Sequence, residues 1–122
     1  MKRILVIATG GTIASTDEGN GLTPRYDVST LISFIPEVKN RCEIKGKMIM
    51  NIDSSNMTPN CWVKIAKTVY QHYEEYDGFV ITHGTDTMAY TSAALTYMLE
   101  GLDKPVILTG SQYSIEEKCT DA

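Results

Sequence analysis

The sequence has no excess of basic residues: 11 Lys and Arg stand against 15 Asp and Glu, a formal net charge of -4. No basic cluster reverses that balance, so nucleic acid is not an expected partner. Cysteine is scarce. Cys42, Cys61 and Cys119 are an odd number at wide spacing. No CxxC or Cys/His pattern points to a metal, and free thiols in a reducing compartment fit best. The two histidines, His72 and His83, read as a solvated surface residue and a packed loop residue. No apolar run approaches the length of a membrane span. Met1-Lys2-Arg3 and the short apolar run after it are too short for a signal peptide and lack a cleavage site. These absences predict a cytoplasmic protein with no membrane partner. The GxGxxG fingerprint and the P-loop lysine are both missing, and so are internal repeats and low-complexity tracts.

What remains is ordinary globular composition, 43% apolar and 21% charged over 122 residues. That length suits one domain, 1–122, burying about two-thirds of its unfolded surface. Ile4-Leu5-Val6-Ile7-Ala8-Thr9 is a continuous β-branched run and reads as a central strand buried on both faces. Gly10-Gly11 ends it with a sharp turn that also lets a ligand approach. Residues 15–27 read as a loop long enough to serve as a lid, with Tyr26 near its end. Val28, Leu31, Ile32 and Ile35 make a helical stripe capped by Asp27 or Ser29 and stopped at Pro36. Glu43 to Ile52 reads as a second strand. Thr58-Pro59 starts a helix with Trp62, Ile65, Ala66, Val69, Tyr70 and Tyr73 on one face. Residues 78–82 form a third strand. The next helix turns Met88, Leu95, Met98 and Leu99 inward, with Ala89, Ala93 and Ala94 allowing close packing and Gly101 as its stop. Pro105 to Thr109 is a fourth buried strand, and Met48, Met50, Met88 and Met98 read as core filler.

The order β-α-β-α-β-α-β predicts an α/β fold of three layers, with a mostly parallel sheet between helices. Ligands bind such sheets outside the carboxyl ends of the strands. Four polar loops fall there: 9–15, 53–56, 82–87 and 109–112. Topology therefore gathers Thr12, Ser54, Thr85 and Asp86. Threonine hydroxyls become nucleophiles when a neighbour takes the proton, and glycine-rich backbone offers N–H groups to an oxyanion. Two threonines on one pocket suggest acyl transfer or hydrolysis. Asp86 suits a substrate ammonium and Ser54 a carboxylate, so a zwitterionic amino acid satisfies both. Local structure accounts for the same residues differently: Thr12 and Thr85 as turn hydroxyls, Asp86 as a first-turn acid, Asp53-Ser54-Ser55 as an Asx-type turn.

Thr9-Gly10-Gly11-Thr12-Ile13-Ala14-Ser15 and His83-Gly84-Thr85-Asp86-Thr87-Met88-Ala89-Tyr90 resemble the two signatures of the bacterial-type L-asparaginases. Met50 to Met57 and Leu108-Thr109-Gly110-Ser111-Gln112 match in the expected order and spacing. The missing signal peptide resembles the cytoplasmic, type I branch. The match spans the whole chain but only the N-terminal third or so of the family's usual length. The resemblance implies the N-terminal part of a two-domain fold that hydrolyses L-asparagine to L-aspartate and ammonia, without metal or cofactor, in a homo-oligomer. It implies Thr12 as the nucleophile that forms an acyl-enzyme. Thr85 belongs to a second group that activates the nucleophile or the water. Ser54 and Asp86 hold the substrate's carboxylate and amine with Asp53 adjoining, and backbone amides near Gly11 and Thr85 form the oxyanion hole.

This sequence departs from the family twice. The family partners Thr85 and Asp86 with a lysine in a later segment and adds a C-terminal domain; Lys104 and Lys118 do not stand in the matching motif. Many relatives place the lid tyrosine where this chain has Leu22, leaving Tyr26 as the nearest candidate. The expectations are an incomplete N-terminal asparaginase domain, inactive alone, whose truncated sheet exposes apolar surface and self-associates. Two rivals stand beside this: a non-catalytic amino-acid or nucleotide-binding module on a flavodoxin-like sheet, and a component of a tRNA-dependent amidotransferase.

Overall fold

A computed structural model describes residues 1–17, 22–24 and 28–122, with backbone alone at 15–17, 22–24 and 39. Asp27 and Tyr26 lie outside the described residues, so neither the helix cap nor the lid tyrosine is located.

Strand β1 (Lys2–Ala8) occupies the middle of the sheet, as its unbroken apolar run requires. It pairs in parallel with β4 (Cys42–Met48) on one side and β5 (Gly78–Thr82) on the other, and β5 pairs in parallel with β6 (Val106–Thr109). The sheet order is β4-β1-β5-β6. Successive side chains point to opposite faces. Leu5, Ile7, Phe79 and Ile81 therefore meet α2 (Pro59–His72) and α3 (Met88–Met98) in the main core, through Ile65, Val69 and Leu95. The alternate residues Ile4, Val6, Ile44 and Val80 face α1 (Val28–Ser33) across an apolar cavity of about 330 Å³. The Thr82 side chain lines that cavity, with its hydroxyl buried and without a hydrogen-bond partner. Helices lie on both faces, as expected for α/β order.

Several boundaries differ from the sequence reading, each for a local reason. Part of the expected 15–27 loop is strand: β2 (Ser15–Asp17) and β3 (Leu22–Pro24) pair as an antiparallel ribbon. Strand β4 ends at Met48 rather than Ile52 because its partner β1 ends at Ala8; residues 49–52 still follow β1, through Ile49 N–H to Ala8 O and Ile52 N–H to Thr9 O at 3.0 Å each. Helix α1 stops at Ser33, and Pro36 opens a 3-10 turn (Pro36–Asn40) rather than acting as the terminator.

The fourth strand is an edge, with Ile107 56% exposed, so it is not buried on both faces. Helices α2 and α3 present narrower apolar stripes than expected: Tyr70, Ala89, Ala93 and Met98 face outward, and so does Met48. His83 is the packed residue expected, while His72 is half-buried between Lys47 Nζ at 2.9 Å and Glu75. All three cysteines are free thiols.

Candidate active site

The carboxyl ends of the strands are tied together by backbone before any side chain is considered. Past β1, Thr9 N–H and Thr9 Oγ1 both donate to Thr82 O, at 3.2 and 2.8 Å. His83 N–H donates to Thr109 O at 2.9 Å. Gly10 and Gly11 then turn the chain at φ of 110° and 91°, a region that side chains disfavour. A Cβ on Gly11 would meet the Gly84 nitrogen at 2.6 Å. A Cβ on Gly84 would meet Ser54 Oγ at 2.6 Å, and one on Gly110 the His83 carbonyl oxygen at 2.2 Å. Four strand-end loops thus meet at contact distance, and glycine at these places is what lets them do so.

Thr12 opens a 3-10 turn (Thr12–Ala14), half-buried, directly after Gly11, which itself lies against Gly84. Thr85 is half-buried at the start of the turn 85–87, and its Oγ1 accepts a hydrogen bond from Gln112 Nε2 at 3.0 Å. Asp86 follows it and is exposed. Ser54 is buried, and its carbonyl accepts Thr87 Oγ1 at 2.7 Å, which locks the second and third loops together. Thr87 therefore spends its hydroxyl across the site rather than capping α3, which begins one residue later at Met88.

Asp53 is exposed, and its Oδ1 accepts Ser55 N–H and Ser55 Oγ at 2.8 Å each. Those bonds, the backbone one first, hold its pKa below the ordinary 3.8. Asp53 is the cap of the short helix Ser54–Asn56, so the Asx-type turn raised from sequence is present. Of the residues singled out, Gly11, Ser54 and Thr85 share one contact cluster with Thr12 beside it. Asp53 and Asp86 stand at its exposed rim.

His83 gives the cluster its rigidity. It is fully buried, with Nδ1 2.6 Å from Gly84 O and Nε2 2.8 Å from Thr91 Oγ1. A carbonyl only accepts, so Nδ1 carries the proton in the neutral ring. Nε2 is then the acceptor, and Thr91 donates to it while accepting Trp62 Nε1–H at 2.9 Å. Because the Gly84–Thr85 peptide is trans, tying its C=O to His83 turns the Thr85 N–H the opposite way. Sequence reasoning identified His83 as packed but missed this chain of donors. It named Gln112 in the loop 109–112 and in a matching motif but assigned it no role. The available signal was position: both sit at the carboxyl end of a strand.

Residues 3–122 match the family described as "Asparaginase, N-terminal". The chain belongs to the asparaginase family. It is 46% identical to "L-asparaginase 1" of Escherichia coli K12 over 125 residues, covering 98% of this chain and 37% of that protein. It is 43% identical to a glutamyl-tRNA(Gln) amidotransferase component of Methanococcus vannielii, covering all of this chain and 29% of that one. Among solved structures, the thermostable L-asparaginase from Thermococcus kodakarensis superposes with a TM-score of 0.88 at 40% identity, over 98% of this chain and 37% of its own. The chain therefore spans little more than a third of the length of the asparaginases it matches. Those proteins share the fold described above. Among the described residues, no group of His, Cys, Asp and Glu could hold a metal, and no helix is long and apolar enough to cross a membrane.

Proposed function

We propose that this chain supplies the nucleophile-bearing part of a site that hydrolyses L-asparagine to L-aspartate and ammonia. The observation that carries this is the contact between Gly11, Gly84 and Ser54, which brings the Thr12 loop, the Thr85 loop and a buried serine to one point. In this reading Thr12 Oγ attacks the side-chain amide carbon as its proton is taken up. The C–N bond then breaks and ammonia leaves, giving an ester on Thr12. Water attacks the ester, the C–O bond to Thr12 breaks, and aspartate departs with the hydroxyl restored. Thr85 serves proton movement in both halves. The backbone N–H groups of Gly11 and Thr85 face the oxyanion. Ser54 binds the substrate carboxylate and Asp86 its ammonium, with Asp53 adjoining and Tyr26 closing over the site.

The matching lysine partner for Thr85 and Asp86 is not among these 122 residues, so the chain by itself is expected to turn over weakly or not at all. Full activity belongs to a cytoplasmic homo-oligomer of longer chains. The test is ammonia release from L-asparagine at high protein concentration, with Thr12→Ala alongside, and calorimetric binding of L-aspartate to both. Release that vanishes in Thr12→Ala supports the nucleophile. Binding of a nucleotide in place of L-aspartate favours the non-catalytic binding module; binding of L-aspartate without release is the outcome expected of a chain that lacks the lysine.

The 43% identity to the amidotransferase component supports a second reading, in which the same amide cleavage feeds ammonia to an acceptor glutamyl-tRNA. Release stimulated by added glutamyl-tRNA separates the two.

A further inference from the structure

Thr85 has one proton and two lone pairs to distribute, and the structure shows where one lone pair goes. Gln112 lies on the loop after β6, and its Nε2 sits 3.0 Å from Thr85 Oγ1. A glutamine exposed at a loop normally samples many rotamers, and holding one costs about 1–2 kcal/mol of side-chain entropy. Here the loop beneath it is built. Gly110 lies against the His83 carbonyl, with no room for a side chain. Ser111 is buried and donates to Tyr113 O at 2.6 Å. The Asp121 carboxylate accepts the backbone N–H of Gln112 at 3.0 and 3.1 Å and that of Tyr113 at 3.0 Å. These three restraints aim the glutamine at Thr85.

We propose that Gln112 is a positioning residue of this site: its side-chain N–H donates to Thr85 Oγ1 and thereby frees the Thr85 proton to point into the pocket. An amide N–H on one lone pair withdraws electron density from the hydroxyl oxygen, which makes the remaining O–H a stronger donor. Thr85 then keeps its proton for a partner other than Gln112. Asp121 acts one step back, through the loop. This rests on the reading of Thr85 as the second hydroxyl of an amide-cleaving site.

Two measurements test it, and the first needs no turnover. In nitrogen–proton correlation spectra of the 122-residue chain, one proton of the Gln112 side-chain amide should be shifted and slow to exchange. Thr85→Val should return it to the position of a free glutamine, while Thr85→Ser should keep it. Asp121→Asn should weaken the shift without touching Thr85. A Gln112 signal that ignores Thr85→Val overturns the proposal, because it places the amide oxygen, not the nitrogen, on the hydroxyl.

The second measurement compares Gln112→Glu with Gln112→Met in ammonia release. The isosteric carboxylate only accepts, so it should capture the Thr85 proton and lower kcat by about tenfold or more with KM little changed. Activity should recover as the pH falls and the new carboxyl becomes a donor. Met should lose less than Glu. A Glu variant that matches wild type, or a flat pH profile, counts against the proposal. Ammonia release that survives Thr12→Ala sinks the functional reading alone; where wild type releases none, as the missing lysine predicts, the spectroscopic result decides the hydrogen bond.

Discussion

Replacing Thr91 by valine tests the hydrogen-bond chain through His83 in the most direct way. The two side chains have nearly the same shape, so the change removes one hydroxyl and leaves the packing. In wild type that hydroxyl accepts Trp62 Nε1–H and donates to His83 Nε2. Thr91→Val orphans both. His83 is fully buried and gains no water, which puts its loss in the upper part of the usual range of about 1–3 kcal/mol. Trp62 is half-buried, and solvent recovers part of its loss. The sum is about 2–4 kcal/mol, a large share of the roughly 5–15 kcal/mol that holds a domain folded.

Thr68→Val is the control. Thr68 is also buried and helical, but its hydroxyl only adds a second bond to the Lys64 carbonyl, at 2.8 Å, which keeps its own helical N–H. Its loss should stay below about 1 kcal/mol. Urea unfolding at neutral pH reads the difference as a midpoint for Thr91→Val about 1–2 M below the control. Equal midpoints would refute the chain of donors through Thr91.

Three further outcomes are expected. Gly46→Ala would place a Cβ 2.2 Å from Val28 Cβ, so α1 must lift off β4 at about 1–3 kcal/mol; combined with Val28→Gly, which removes that atom, the loss of thermal stability should be smaller than the sum of the two single changes. Gly11→Ala meets both a φ of 91° and the Gly84 backbone at 2.6 Å, and should lose more stability in urea than the roughly 1–2 kcal/mol of backbone strain alone. Asp77 accepts Arg3 N–H at 2.8 Å and Lys2 Nζ at 2.9 Å, which holds its pKa below 3.8. The folded value lies below the unfolded one, so its contribution is complete above about pH 4 and disappears as pH falls through the folded value. Urea midpoints followed from about pH 6 to about pH 3 should drop only at the acid end, and Asp77→Asn should flatten that drop.

The sheet was legible because buried strands leave continuous apolar runs, as in Ile4 to Ala8 and Phe79 to Ile81. The location of the site followed from topology alone, since ligand loops gather at the carboxyl ends of parallel strands. Errors concentrated where tertiary partners decide. Ile107 looks like any core strand residue, and only the edge position of β6 exposes it. Tyr70 and Met98 sit at helical spacing that fits an inward face, but they are exposed, with Tyr70 OH reaching across to the Met98 carbonyl. Gln112 and His83 were underestimated for another reason. Their partners, Thr85 and Thr91, are chosen by how loops fold in space, and no periodicity carries that information.

The central position of β1 also sets an order of events. The first of these strands in the chain cannot be finished by its sequence neighbours, because its partners begin at Cys42 and Gly78. It stays unpaired until β4 exists and open on its other side until β5 does, and such distant pairings are slow to close. The loops at Gly11, Gly84 and Ser54 meet through β1, β4 and β5, and the Gly110 loop joins them only with β6. A chain stalled before β6 carries the Thr12 and Thr85 loops but lacks the residue that aims the second hydroxyl.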